Sequence, residues 1–182
     1  MHMIILLIFF LCFTELIYSS TSPPDLHEWM QTKVAADEPG LAIGIVKDGE
    51  IAFAGHRGMA NLEHQISAGP ATRYNIASLA KQFTALCILK LALEHKLDIG
   101  DDIRKYFPDL YRDLNDSIRI GHLITHTSGI RDLYDLLSLD GRPWWARVGY
   151  DMEDAMGLLA KQTSLNHEPG ERHLDSNSGY LL

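Results

Sequence analysis

The segment Tyr74-Asn75-Ile76-Ala77-Ser78-Leu79-Ala80-Lys81-Gln82-Phe83-Thr84-Ala85 decides how the whole chain is read. From Ser78 onward the apolar residues Leu79, Phe83, Leu86, Cys87, Leu91 and Leu93 recur with helical spacing, which predicts a helix that buries one apolar stripe. Ser78 falls at the start of that helix. Lys81 returns to the same face one turn later, where its amine can approach the serine hydroxyl. A serine hydroxyl is a weak nucleophile at neutral pH and needs a neighbouring group to take its proton. The positive end of a helix and burial both disfavour a protonated lysine in this place. The two residues therefore read as a nucleophile with its base. The plainer alternative is that Ser78 is a helix N-cap and that Ser-x-x-Lys has arisen by chance.

Working outward, the 182 residues suffice for one domain with a real core, and 46% hydrophobic with 22% charged residues is an ordinary globular composition. A formal net charge of -8 argues against a nucleic-acid partner. Met3 to Phe13 is an apolar run, shorter than the ~20 residues a membrane-spanning helix needs. It is followed by Ser19, Ser20, Thr21 and Ser22, so the pattern fits a secretory signal peptide over residues 1–20 and an exported mature chain, periplasmic or extracellular. Removal of that segment takes Cys12 with it. Cys87 is then the remaining cysteine, expected to be a buried, inert thiol on the helix stripe.

Ser22-Pro23-Pro24-Asp25 has the form of a helix start with a capping serine and proline in the first turn, continued by Leu26, Trp29, Met30 and Val34 and ended by Glu38-Pro39-Gly40. Leu41 to Val46 and Ile51 to Ala54 flank Lys47-Asp48-Gly49-Glu50, and Asp-Gly between apolar runs predicts a hairpin. A helix ending at Gly129 accounts for Ile118 to Ile130. Leu133 to Leu139 and Trp144 to Tyr150 read as a helical insertion, with Trp144 and Trp145 at a rim or in packing. Met152 to Leu159 reads as another helix. His122 and His126 have the spacing of a zinc-binding pair, but Leu123 stands where a zinc peptidase has its glutamate, so no metal is assigned. His126 is expected instead to stabilise the helix end and the loop after it.

The segment from Tyr74 to Ala85 resembles the active-site segment of the serine beta-lactamase-related family, which includes class C beta-lactamases, penicillin-binding DD-peptidases and related esterases. Gly58-Met59-Ala60-Asn61 is similar to the family's corner after its first hairpin, and Ile118-Arg119-Ile120-Gly121-His122-Leu123-Ile124-Thr125-His126-Thr127-Ser128-Gly129-Ile130 to its "iTirhLLtHtSGl" segment. Glu168 to Leu182 resembles "PGe.f.YSNtGY.lL", with Asn177 on the family's asparagine and Asp175 on its catalytic tyrosine. The resemblance runs from about Pro39 to the last residue. The family's third motif, a Lys-Thr-Gly or His-x-Gly strand, has no counterpart in these residues.

The resemblance implies an α+β fold of the beta-lactamase/transpeptidase type, an antiparallel sheet flanked by helices plus a helical subdomain. Residues 21–182 are read as that domain, incomplete at the C-terminus, with one hairpin edge and one apolar face uncovered. It further implies acyl transfer through a serine acyl-enzyme on an amide, beta-lactam or ester, with Ser78, Lys81, Asp175 and Asn177 as site residues. No metal or organic cofactor is required, and the implied partner is a small-molecule or peptide substrate. In this reading the fragment alone is inactive. Asp175 is expected to pair with Lys81 if the two lie close, which would hold the amine protonated. The alternative function is a non-catalytic penicillin- or peptidoglycan-binding or sensing module.

Overall fold

The structure, a computed structural model, describes residues 25–143, 145–146 and 149–182. The signal segment 1–20, the Ser22-Pro23-Pro24 helix start and Trp144 lie outside the described residues. The chain forms two compact units, divided after Ile76.

In the first unit, α1 (Leu26–Lys33) is capped by Asp25, whose carboxylate accepts from the backbone N–H groups of His27 at 2.9 Å and Glu28 at 3.3 Å. Asp25 caps the helix because a carboxylate at this position reaches the free N–H groups of the first turn. The helix also stops earlier than Glu38-Pro39-Gly40, at Lys33, where Val34 adopts an extended backbone. Strand β1 (Leu41–Lys47) pairs antiparallel with β2 (Glu50–Arg57). Asp48 and Gly49 both have positive φ, 53° and 82°, as a two-residue turn matched to strand twist requires. Met30 of α1 is buried and packs toward β2 at Gly55. Gly58 has a φ of 79°, and a Cβ there would lie 2.8 Å from the Glu38 carbonyl oxygen, so the corner admits only glycine. Beyond it, β3 (Met59–Asn61) pairs with β4 (Ile66–Ser67).

In the second unit a 3-10 turn, Ala77–Leu79, leads into α2 (Ala80–Leu93). The stripe read from the sequence exists but is not buried: Phe83 is 57% exposed, Leu86 63% and Leu93 81%, and Cys87 is exposed as well. Periodicity identifies the apolar face of a helix without showing what covers it, and the other elements of this unit leave α2 uncovered. The core lies elsewhere, around Ile103, Leu110, Ile118, Leu123, Leu137 and Leu159. These residues join α3 (Ile120–Ile124), α4 (Leu133–Leu139) and α5 (Met152–Ala160). The short α6 (Asn177–Leu181) packs on α3 and α4. Gly179 permits the close approach, since a Cβ there would sit 3.3 Å from the Leu123 carbonyl oxygen.

In the second unit, two boundaries also differ from the sequence reading. Helix α3 ends at Ile124 with Thr125 as its C-cap, followed by His126 in the left-handed region (φ 56°), rather than running on to Gly129. Among the described residues the expected insertion is helical only over α4, and those between Trp145 and Tyr150 form no helix.

Candidate active site

The site is built entirely within the second unit. The 3-10 turn holds Ser78 just ahead of α2, and Ala77 before it has a φ of 47°, an uncommon backbone for a residue with a Cβ. Such local strain occurs where the surrounding structure fixes a residue in place, often at functional sites. Lys81 Nζ in the first turn of α2 donates to Ser78 Oγ at 3.1 Å and to Asn177 Oδ1 at 2.6 Å. The first of these distances suits a proton passing from the hydroxyl to the amine once the amine is neutral. The second fixes the direction of the amine, and the Tyr180 ring lies beneath it, 5.8 Å from Nζ to the centroid.

Asn177 is itself held by a residue that the sequence reading did not single out. The Asp132 carboxylate accepts from Asn177 N at 2.5 Å and Asn177 Nδ2 at 2.8 Å through Oδ2, and from Tyr134 N at 2.8 Å through Oδ1. One carboxylate therefore caps α4 and closes the first turn of α6. With Nδ2 engaged by Asp132, the amide presents Oδ1 to Lys81 and cannot turn over. The helix-cap pattern of an Asp before Leu133-Tyr134 was readable in the sequence. Its bond to a residue 45 positions away was not.

Asp175 lies two residues from Asn177 but belongs to a different arrangement. Its Oδ1 is 3.0 Å from His126 Nδ1, and its side chain is 66% exposed. The expected Asp175–Lys81 ion pair is absent among the described residues: the lysine turns to Ser78 and Asn177, and the carboxylate to the imidazole. The same His126 Nδ1 lies 3.1 Å from the Ser176 backbone N–H. A single ring nitrogen cannot accept that proton and donate one to Asp175 at once, so the two contacts compete for its protonation state. Burial pushes His126 below its ordinary value, and the positive charges of Lys81 and His173 act in the same direction against the pull of Asp175. The neutral ring that accepts from Ser176 is favoured. His126 also takes the Leu174 N–H on its backbone oxygen at 2.9 Å, which ties the end of α3 to the segment before α6. His122 caps α3 by accepting from Arg119 N at 3.2 Å.

Ser178 Oγ donates to the Arg131 carbonyl oxygen at 2.6 Å and Tyr180 Oη to that of Ile124 at 2.8 Å, which pins α6 at both ends. Gly129 has a φ of 73°, and a Cβ there would collide with the His167 carbonyl oxygen where that strand of backbone crosses the loop before Asp132. The family profile described as Beta-lactamase matches residues 26–182. The chain belongs to the beta-lactamase family.

Within that family the chain is 35% identical over 147 residues to "Protein flp" of Staphylococcus aureus strain N315, covering 79% of this chain and 28% of the relative. It is 27% identical over 174 residues to a "Putative D-alanyl-D-alanine carboxypeptidase" of Salmonella agona, covering 86% of this chain and 39% of that protein. Among solved structures, the octameric penicillin-binding protein homologue from Pyrococcus abyssi superposes with a TM-score of 0.67 at 31% identity, over 86% of this chain and 35% of that one. The chain thus spans well under half the length of these relatives. The likeness confirms the α+β beta-lactamase/transpeptidase-like fold, with helices and antiparallel strands, as expected from the sequence.

Proposed function

We propose that this beta-lactamase-family chain carries the nucleophilic half of an exported serine hydrolase that acts by acyl transfer on an amide, beta-lactam or ester. The observation that carries the proposal is the Ser78–Lys81–Asn177 chain at 3.1 and 2.6 Å, held from behind by Asp132. Lys81 takes the Ser78 proton as Oγ bonds to the substrate carbonyl carbon. The tetrahedral adduct then expels its amine or alcohol, which leaves with that proton, and water hydrolyses the acyl-enzyme. The Ser78 backbone N–H supplies one oxyanion donor, and Asn177 directs Lys81 and the substrate amide. A small molecule or peptide is the substrate class. Export rests on the apolar run and small residues at the N-terminus, and no helix among the described residues is long and apolar enough to cross a membrane.

A second reading, a penicillin- or peptidoglycan-binding module without turnover, is favoured by Asp175, which occupies the position of the family's tyrosine and faces His126 instead of Lys81. A fluorescent penicillin and a fluorophosphonate separate the two. The hydrolase reading expects a covalent adduct on Ser78 that is lost in Ser78→Ala. Reversible binding of penicillin with no adduct from either probe would establish the binding module.

A further inference from the structure

Beside Asn177 the second unit carries an open cleft of about 810 Å³, lined by residues that take no part in the acyl-transfer steps apart from Asn177 and its anchor Asp132. Tyr134 and Tyr150 form two of its walls, with rings 80° apart and centroids separated by 6.3 Å, and Trp145 stands at the rim, 68% exposed. The Tyr150 phenol donates to the Tyr134 hydroxyl at 3.4 Å. That bond and burial push Tyr150 up to about 12, so its phenol stays uncharged at neutral pH.

The charges around the cavity are unequal. Arg142 is compensated twice, with Nη2 2.7 Å from Asp140 and Nη1 3.1 Å from Asp154. Asp132 is committed to the three N–H groups of Asn177 and Tyr134. Asp135, in the first turn of α4, lines the cavity with no hydrogen bond or ion pair among the described residues. An uncompensated carboxylate beside perpendicular aromatic rings attracts a cation and gives an anion nothing to bind.

We propose that this cavity is a subsite for an ammonium group, primary or quaternary, on the acyl portion or leaving group of the substrate. The assignment deepens the Ser78 acyl-transfer reading and names its substrate class: amides or esters that carry a positive charge a few bonds from the reacting carbonyl. The ammonium group would meet Asp135 and the faces of Tyr134 and Tyr150, which places the adjoining chain next to Asn177. Desolvation between rings strengthens such contacts, and bulky acyl groups without charge gain only the apolar part.

Two measurements on the chain test this. The first is equilibrium binding, by NMR titration, of choline against 3,3-dimethylbutan-1-ol, which has the same shape and no charge. Choline is expected to bind about tenfold tighter, and both Asp135→Asn and Tyr150→Leu to erase the preference. Asp113→Asn removes an exposed carboxylate that does not line the cavity, and is expected to leave the preference intact. The second is acylation of Ser78, measured in the full-length protein, by p-nitrophenyl 4-(trimethylammonio)butyrate against p-nitrophenyl 5,5-dimethylhexanoate, with the charged ester faster by about tenfold only where Asp135 and Tyr150 are unaltered. If neither ester acylates Ser78 in the full-length protein, the hydrolase reading fails, while a choline preference lost in Asp135→Asn still establishes the subsite. Equal binding of choline and its neutral analogue, or a preference that survives Asp135→Asn or disappears equally in Asp113→Asn, overturns it.

Discussion

Asn177 and Asp175 are separated by one residue, yet they enter unlike surroundings. Asn177 starts a helix, is fixed by a carboxylate across the fold, and hands its amide oxygen to Lys81. Asp175 sits in the loop before that helix, two-thirds exposed, and shares one imidazole nitrogen with a backbone N–H. The difference shows that position in a motif does not by itself assign a residue to a proton-transfer chain. What assigns it is a second contact that removes its freedom to turn, and Asp132 provides that contact for one residue only.

The sharpest way to break this contrast is at its active end. Lys81→Met keeps the stem and removes the amine, and in the full-length protein the rate of Ser78 acylation by a fluorophosphonate or activated ester is expected to fall by about 10²–10⁴-fold, the range of a positioned acid-base group. A rate unchanged within tenfold would remove Lys81 from the mechanism. Asp132→Ala should follow in size. It removes three hydrogen bonds at once, one of them the cap of α4, so chemical denaturation is expected to show a loss of about 2–4 kcal/mol. Asp132→Asn restores one acceptor oxygen and should recover part of it. Acylation should drop with both, since Asn177 is then free to turn its amide away from Lys81. If stability falls but acylation does not, the anchoring of Asn177 has no part in the chemistry.

How much of this was legible in the sequence differs by kind of contact. Ser78 and Lys81 meet because one helical turn separates them, and that distance is set by local geometry. The hairpin followed from Asp48-Gly49, whose backbone demands are local as well. Asn177 was identified through its family motif, but its anchor Asp132 was not, because a contact across 45 residues leaves no periodic trace. The apolar stripe of α2 was correctly located and wrongly buried: Leu86 and Cys87 have the pattern of core residues, but burial depends on what the rest of the fold brings to them. A thiol reagent checks this directly, since Cys87 should react in the native chain without denaturant and the signal should vanish in Cys87→Ser.

The passive end of the contrast yields smaller effects. With no ion pair to Lys81, the Asp175 carboxylate does not hold the amine protonated by direct contact, so Asp175→Asn should change the acylation rate by no more than about threefold, as for an exposed substitution. A loss beyond that would make Asp175 a working base and restore its place beside Lys81. Asp175→Tyr should raise the rate if the phenol reaches the lysine, and a rate no higher than that of Asp175→Asn would show that the loop places this position outside the chemistry.

The smallest effect is in the pH dependence of stability, and it ties the two halves together through His126. Burial lowers the affinity of the folded ring for a proton below its ordinary value of 6.5, so the unfolded chain binds the proton more tightly. The contribution is therefore present above 6.5 and is lost as the pH falls through the folded value. His122, also lowered by burial and then by Arg119, acts in the same window, whereas Asp101, at about 2, acts only below the ordinary carboxylate range. Denaturation midpoints measured from pH 7.5 to 5 should decline, and His126→Gln should flatten the curve in part, leaving the share of His122. Asp175 attracts a proton to His126 and so opposes the shift. Removing it in Asp175→Asn should lower the folded ring further, extend the acid-side loss to lower pH and steepen the total decline. NMR titration of the imidazole reads the same coupling without unfolding. A His126 value unmoved by Asp175→Asn would show that the carboxylate and the ring are not partners in solution, and the separation between Asp175 and Asn177 would then need another cause.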